Sequence, residues 1–371
     1  LGWAGVSAEG ARPLEPSEDE DVLAEEALMQ QRTGQPMDPQ SAVEVRGLVQ
    51  TFRSFFPKWD KERKTYAQKA PYHAVKAPQF AIKRGQLFCL LGPNGAGKTT
   101  TINMLCGFFQ PTRGTAFVEG LSITSEMERV YTIMGVCPQH DIQWGLLSPR
   151  QHLLFYARLK NIPSRDLEAE VKRSLGAVNL LDRINDPVNT FSGGMKRRLS
   201  VAMSLIGGPL VCYLDEPSSG LDPASRRQLW RCIDKAKESR TIMLTTHSME
   251  EAEGLCDRLG MFVGGELQCV GAPQELKMRF GDKINLTVTM APGTDQTEWL
   301  DGVVRGISDV AHCTYQLDKQ HKYELPAHGV ALGKVFAEML KAREDGRVVS
   351  FGITSATLED VFIKMAAKVN C

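Results

Sequence analysis

Leu87-Phe88-Cys89-Leu90-Leu91-Gly92-Pro93-Asn94-Gly95-Ala96-Gly97-Lys98-Thr99-Thr100 starts as an apolar run of strand type, breaks into a glycine-rich turn and restarts as a helix. The turn, Gly92 to Thr99, fits G-x-x-x-x-G-K-[ST]. Gly92, Gly95 and Gly97 let backbone N–H groups curl toward a phosphate without Cβ clashes. The helix that begins near Lys98 points its positive end at the same phosphates. Lys98 is then placed to reach β- and γ-phosphate oxygens, and the Thr99 hydroxyl to ligate Mg²⁺. The strand before and the helix after favour this reading over an ordinary glycine turn.

Working outward, a second apolar run, Leu210-Val211-Cys212-Tyr213-Leu214, ends in Asp215-Glu216. It reads as a buried strand delivering carboxylates to the sheet edge where phosphate ligands bind. Asp215 would hold Mg²⁺ directly or through water, and Glu216 could polarise an attacking water. Gln139 follows the strand ending GVCP, and His247 follows TIMLTT. Both sit at strand C-termini, although such residues are as readily caps or surface groups. Phe191-Ser192-Gly193-Gly194-Met195 precedes the helical run KRRLSVAMSLI. Ser192 is a good N-cap, and the glycines admit close approach of an anion, so this is a second helix start suited to phosphate.

Between Gly85 and about Phe280 the chain alternates short strands (LFCLLG, TIMGVCP, LVCYLDE, TIMLTTH) with helical stretches, the pattern of a mostly parallel sheet covered by helices. Residues 149–206 lack a comparable strand and read as a helical insertion, bounded at about 140–206. Residues 1–40, with the acidic run Glu15 to Glu26, read as a linker: a solvated tail or short acidic helix. β-type alternation starts at Ala42. A stretch carrying Lys58, Lys61, Arg63, Lys64 and Lys69 among Phe55, Phe56 and Trp59 then intervenes. It suits a headgroup or RNA contact, but Asp60 and Glu62 dilute the charge and favour a solvated hairpin loop. After Gly281 the order is strand, helix, strand, strand, helix, strand, then a last helix, which is a ferredoxin-like pattern. The expected domains are thus a linker over 1–40, a nucleotide-binding domain over 41–280 and a small αβ domain over 281–371.

Composition sets the limits. The 371 residues carry 44 basic and 44 acidic side chains for zero net charge, and 42% are hydrophobic. That excludes wholesale disorder and argues against a coat for nucleic acid, which needs a basic excess. Nine cysteines with no C-x-x-C pair, mostly inside apolar runs, read as buried thiols of a reducing compartment. No run approaches the 18 or so apolar residues of a bilayer span. The start, LGWAG, lacks Met and a signal pattern, so the chain is expected to be soluble and a piece of something larger.

With GPNGAGKTT, Gln139, FSGGM, YLDEP, Ser219-Gly220-Leu221-Asp222 and His247 in that order, residues 42–280 resemble an ABC-transporter nucleotide-binding domain. FCLLGPNGAGKTTTINML, GVCPQHDI, SGGMKRRLSVAMSLIG and LTTHSMEEAE resemble the A subfamily in particular, which is associated with lipid transport. KMRFGD, the small αβ domain ending TLEDVFIKMA and the acidic EDEDV linker resemble it too. The implied fold class is α/β, a P-loop NTPase (ABC-type ATPase) with a helical insertion, followed by a small ferredoxin-like α+β domain that the resemblance makes regulatory.

The resemblance also implies roles. Gly92, Asn94, Gly95, Gly97, Lys98, Thr99 and Thr100 would bind ATP, with Mg²⁺ at Thr99, Gln139 and Asp215. Glu216 would be the general base, His247 the γ-phosphate sensor, and Phe52 the ring on adenine, where Tyr is commoner. Ser192, Gly193 and Gly194 would act on ATP held by a partner domain, with Asp222 at the seam. Phe191 and Met195 replace the signature's usual Leu and Gln, and Met is typical of the A subfamily. The implied partners are a second nucleotide-binding domain (homo- or hetero-), the parent transporter's transmembrane domains and a lipid cargo, with no nucleic acid. The chain would lie on the cytoplasmic face. The rival readings are a soluble ABC-type ATPase acting on nucleic acid or ribosomes, and a sensor that binds nucleotide without turnover. Zero net charge opposes the first, and the presence of Glu216 and His247 opposes the second.

Overall fold

The computed structural model describes residues 19–32, 34–53, 58–60, 65–67, 71–281, 283–291, 297–317, 320–326 and 332–370. They form two compact units, Leu1–Ala272 and Pro273–Cys371.

The first unit is organised on a six-stranded sheet in the order Glu266–Gly271, Arg258–Val263, Leu87–Leu91, Thr241–Thr246, Val211–Asp215, Met134–Cys137. All neighbours run parallel except the first pair. Its strands are continuous apolar runs because helices cover the sheet, and Leu87–Leu91 and Val211–Asp215 are buried at every position. The run TIMGVCP is only part strand. Thr132 and Ile133 finish the preceding helix, where the Thr132 hydroxyl donates to the Arg129 carbonyl at 2.7 Å, and the strand begins at Met134.

A second, antiparallel sheet is built on Ser41–Phe52, which pairs with Tyr72–Lys76, Gln79–Lys83 and Arg113–Val118. Val43, Val45, Phe80 and Ile82 from this sheet share one buried cluster with Phe88, Leu90 and Ile102 of the P-loop strand and helix. Helices Pro149–Leu159, Leu167–Ala177 and Gly193–Leu205 hold a separate cluster around Leu153, Val171, Leu175 and Leu199. This is the helical insertion, with its own core.

The acidic segment differs from a spacer. Glu20–Gln31 is a helix capped by the Asp19 carboxylate, which accepts from the N–H groups of Asp21 and Val22. Val22 and Met29, two turns apart, are buried, and Glu25 accepts from the Ala81 N–H at 3.1 Å and pairs with Arg258. Apolar residues seven apart put one face of the helix on the body of the unit while the acidic residues stay mostly at its margin. The basic stretch forms a two-stranded ribbon, Lys58–Asp60 against Thr65–Ala67. Its side chains, including those of Phe55, Phe56, Trp59, Lys61, Arg63, Lys64 and Lys69, lie outside the described residues.

In the second unit, Lys283–Met290, His312–Leu317, Gln320–Pro326 and Val348–Ser355 form an antiparallel sheet. Their spatial order, second-third-first-fourth, is that of a ferredoxin-like fold. Helices Thr297–Ile307 and Leu332–Glu344 connect them, and Leu286, Val304, Tyr323 and Met339 fill the core. The unit begins at the helix Pro273–Phe280, eight residues before the boundary expected at Gly281, because that helix packs against the terminal helix Leu358–Asn370.

Seven of the eight described cysteines are buried, and Cys313 is exposed. Burial pushes the Cys137 thiol up to about 11 and that of Cys212 up to about 12. No helix among the described residues is long and apolar enough to cross a membrane.

Candidate functional site

Parallel register brings four chain segments to one sheet edge. Leu91 stands beside Thr246, Thr245 beside Asp215, and Leu214 beside Cys137. Crossing that edge, the chain leaves the strands toward Lys98, His247, Glu216 and Gln139 in turn. This is the carboxyl edge, where open α/β sheets bind ligands.

The P-loop takes its shape from glycine. Gly97 sits at φ +102°, and a Cβ there would stand 2.4 Å from the Ala74 carbonyl oxygen, so side chains are excluded by conformation and by space. Lys98 opens the helix Lys98–Leu105 and is only 4% exposed. Its ammonium donates to the Gly92 carbonyl at 2.7 Å and the Pro93 carbonyl at 3.1 Å, and stands 3.6 Å from Glu216 Oε1. Burial holds the Lys98 amine below the usual lysine range, against the pull of Glu216 and Asp215.

Glu216 is the meeting point. Its Oε2 accepts from Gln139 Nε2 at 3.3 Å and lies 3.3 Å from His247 Nδ1. Lys98, Gln139 and His247 therefore converge on one carboxylate. Glu216 also sits at φ +44°, in the left-handed region that a Cβ disfavours. Its N–H donates to the Thr245 hydroxyl at 3.0 Å. Asp215 is buried beside it: Oδ1 accepts from Thr99 Oγ1 at 3.1 Å and from Thr245 Oγ1 at 2.5 Å. Thr99 and Asp215 thus present hard oxygen donors at one point, the donor set Mg²⁺ takes when phosphates and water complete its shell.

A cavity of about 370 Å³ opens over these groups. Asn94, Gly95, Gly97, Lys98, Thr99, Thr100, Gln139 and Glu216 line it. Phe52 lines it too, 39% exposed and edge-on to Phe109 at 5.7 Å. Tyr72, not read from the sequence as a site residue, also lines the cavity. It faces Phe52 across the antiparallel pair, is 54% exposed and reaches the Gly95 carbonyl at 3.5 Å. Only knowledge of the strand register could have found it. Gly92 lies at the base of the loop as an acceptor for Lys98.

Ser192, Gly193, Gly194 and Asp222 do not line this cavity. Ser192 caps the helix Gly193–Leu205, accepting from the Met195 N–H at 3.3 Å. Asp222 caps Pro223–Lys237, accepting from the Ala224 and Ser225 N–H groups, and hydrogen bonds from the Ser225 side chain first, then from these N–H groups, hold its carboxyl below the usual range. A Cβ on Gly194 would stand 2.5 Å from Ser225 Oγ, so glycine is needed where the two capped helices touch. Sequence reading also passed over Thr245, which positions Asp215, and Arg197, whose side chain is buried behind the site.

A glycine-cradled anion loop, a buried Thr–Asp oxygen pair and a carboxylate facing a lysine define a P-loop nucleoside triphosphatase. The model of the family described as ABC transporter matches residues 75–219. ABC transporter A family member 3 of Arabidopsis thaliana is 50% identical over 312 residues, covering 83% of this chain and 33% of that protein. A family member 5 of the same plant is 52% identical over 295 residues, covering 79% and 31%. Among solved structures, an ATP-binding subunit of an ABC transporter is 25% identical with a TM-score of 0.54, covering 65% of this chain and 94% of that one. A dimeric ATP-binding cassette in a post-hydrolysis state with ADP and Pi is 20% identical with a TM-score of 0.53, covering 62% and 98%, a likeness of fold. Residues 75–219 are thus an ABC transporter ATPase domain, the relatives at about 50% identity are A-family members, and ATP hydrolysis is the activity characteristic of such domains. The chain spans about a third of the length of these curated relatives.

Proposed function

We propose that this chain is the ATP-driven motor of a membrane transporter, that it works at the cytoplasmic face, and that the cargo is lipid. The observation that carries the motor reading is the convergence of Lys98, Gln139 and His247 on the Glu216 carboxylate, which lines the cavity. The lipid reading rests on the likeness of the motif wording to the A subfamily.

In this reading Lys98 leaves the carbonyls of Gly92 and Pro93 for the β- and γ-phosphates, where its charge is better compensated. Loop N–H groups of Asn94 to Gly97, and those of Thr99 and Thr100 at the helix start, hold the phosphate oxygens. Phe52 and Tyr72 flank the base. Thr99 and Asp215, with Gln139, would hold Mg²⁺, which supplies charge neutralisation at the transferring phosphoryl group. Glu216 accepts a hydrogen bond from the attacking water and takes its proton as the oxygen bonds to the γ-phosphorus and the ADP oxygen leaves. His247 donates to the γ-phosphate and, by its contact with Glu216, fixes that carboxylate's rotamer. Ser192, Gly193 and Gly194 complete the site on ATP held by a second copy or a second half, and Asp222 lies at that seam. The αβ unit is assigned a regulatory role.

The test is size-exclusion mobility of the Glu216→Gln chain with and without Mg·ATP. With hydrolysis blocked and binding intact, an ATP-dependent shift to dimer is expected. Intact nucleotide binding with no shift, at protein concentrations well above micromolar, would count against a self-paired sandwich and assign Ser192 to Gly194 to an unlike partner.

A further inference from the structure

Arg197 lies on the helix Gly193–Leu205, five residues past its Ser192 cap, and is 4% exposed. Its guanidinium has five N–H donors, and all five are used. Nε donates to the Pro217 carbonyl at 2.7 Å. One terminal nitrogen donates to the carbonyls of Pro138 at 2.6 Å and Gln139 at 3.1 Å. The other donates to those of Asp215 at 2.7 Å and Glu216 at 3.0 Å. The Asp141 carboxylate stands 3.7 Å away and balances the charge.

We propose that Arg197 is the positioning residue that locks the Gln139 loop to the Glu216 turn and ties both to the helix carrying Ser192. The inference rests on the hydrolytic reading of the site given above. Three successive carbonyls, 215 to 217, face a single guanidinium, which is what fixes a non-glycine turn at φ +44°. Such a backbone persists only where its surroundings over-determine it. A second strap runs parallel: Gln143 Nε2 donates to the Ser200 hydroxyl at 2.5 Å and the Lys196 carbonyl at 2.8 Å, and Ser200 donates to Asp141 at 3.1 Å. Residues 196, 197 and 200 lie on one face of the helix, so any rotation of that helix moves Gln139 and Glu216 together. The helix that presents Ser192 thereby reports to Gln139 and to the water-activating Glu216 of its own chain.

The experiment compares Arg197→Lys and Arg197→Met in the full chain. Lysine keeps the charge but has three donors and no planar fork. Because Arg197 does not itself line the cavity and reaches Gln139 and Glu216 through their main chain alone, nucleotide affinity and KM should stay within about threefold while kcat falls. A misplacement of about 1 Å costs on the order of 100-fold, so Arg197→Met should lose that much and Arg197→Lys less. Combined with Glu216→Gln, the Arg197→Met loss should not multiply, since both act on one group. Hydrogen exchange supplies a readout free of turnover: amides over 138–143 and 215–219 should lose protection together in Arg197→Lys and stay protected in Lys98→Ala. Near-normal kcat in Arg197→Met overturns the proposal. So do a KM that worsens as much as kcat, effects that multiply with Glu216→Gln, or loops that open separately. If Arg197→Met does not fold, Arg197→Lys is judged by the same criteria. Absence of turnover in the unsubstituted chain would strike the hydrolytic reading instead, and the exchange result would still decide Arg197.

Discussion

At the scale of single residues, the site balances burial against the contacts its charged and polar side chains make on Glu216. Lys98 is the clearest case. Burial lowers its amine and Glu216 raises it, so the lysine waits on neutral carbonyls until a better anion arrives. Lys98→Ala removes a charge-assisted contact to phosphate, an interaction of roughly 1.5–3 kcal/mol. That corresponds to about a 10- to 100-fold weaker nucleotide affinity. Titration with a fluorescent ATP analogue measures it, and an unchanged curve would remove Lys98 from the phosphate site. Glu216 is legible as an acid at a strand end, but its left-handed backbone is not, because nothing in the letters Leu-Asp-Glu-Pro marks a positive φ.

At the scale of elements, the helical insertion carries a proton-sensitive joint. His152 is buried on Pro149–Leu159. Its Nε2 accepts from the Trp144 N–H at 3.0 Å, while Nδ1 lies 2.8 Å from the Ser148 carbonyl, so the neutral ring with a proton on Nδ1 satisfies both. Burial lowers the imidazole below the usual histidine range, outweighing the Ser148 contact that raises it. The unfolded chain therefore takes up a proton near pH ~6.5 that the folded chain refuses. Stability is full above that value and falls as the pH drops below it. Melting temperatures of the unsubstituted chain should decline from about pH 6.5 downward more steeply than those of His152→Gln; parallel profiles would discount the joint. Four strands of the main sheet were readable from periodicity while its antiparallel edge, Arg258–Val263 with Glu266–Gly271, was not, and two further differences are instructive. Thr132 and Ile133 have strand character but were captured by a helix end. The acidic segment was legible as a solvated tail or short helix, but not its docking, because just two apolar residues, Val22 and Met29, mark the buried face and the Glu25 contacts to Ala81 and Arg258 are long-range.

At the scale of the molecule, the two units have separate hydrophobic clusters, and every cavity residue belongs to the first. A chain ending at Ala272 is expected to fold and to bind ATP within about twofold of the full chain, measured by calorimetric titration. A large loss of affinity would show that the αβ unit supports the site. The cut belongs before Pro273 and not at Gly281, since the helix Pro273–Phe280 packs on the terminal helix of the second unit, where Lys364 Nζ meets the Phe280 carbonyl at 3.5 Å.

The sequence by itself determined the phosphate loop, the acid-ended strand, the two capped helix starts and the strand–helix order of the second unit. Each of these is written in a window of a few residues, through glycine's missing Cβ, apolar periodicity and side chains that cap. Tertiary structure alone decided the convergence on Glu216, the pairing of Tyr72 with Phe52 and the docking of the acidic helix. It alone decided the grip of Arg197, for a physical reason. Arg197's five hydrogen-bond partners are main-chain carbonyls 18 to 59 residues away. Every residue type carries such a carbonyl, so no letter of the sequence records which ones a buried guanidinium will find.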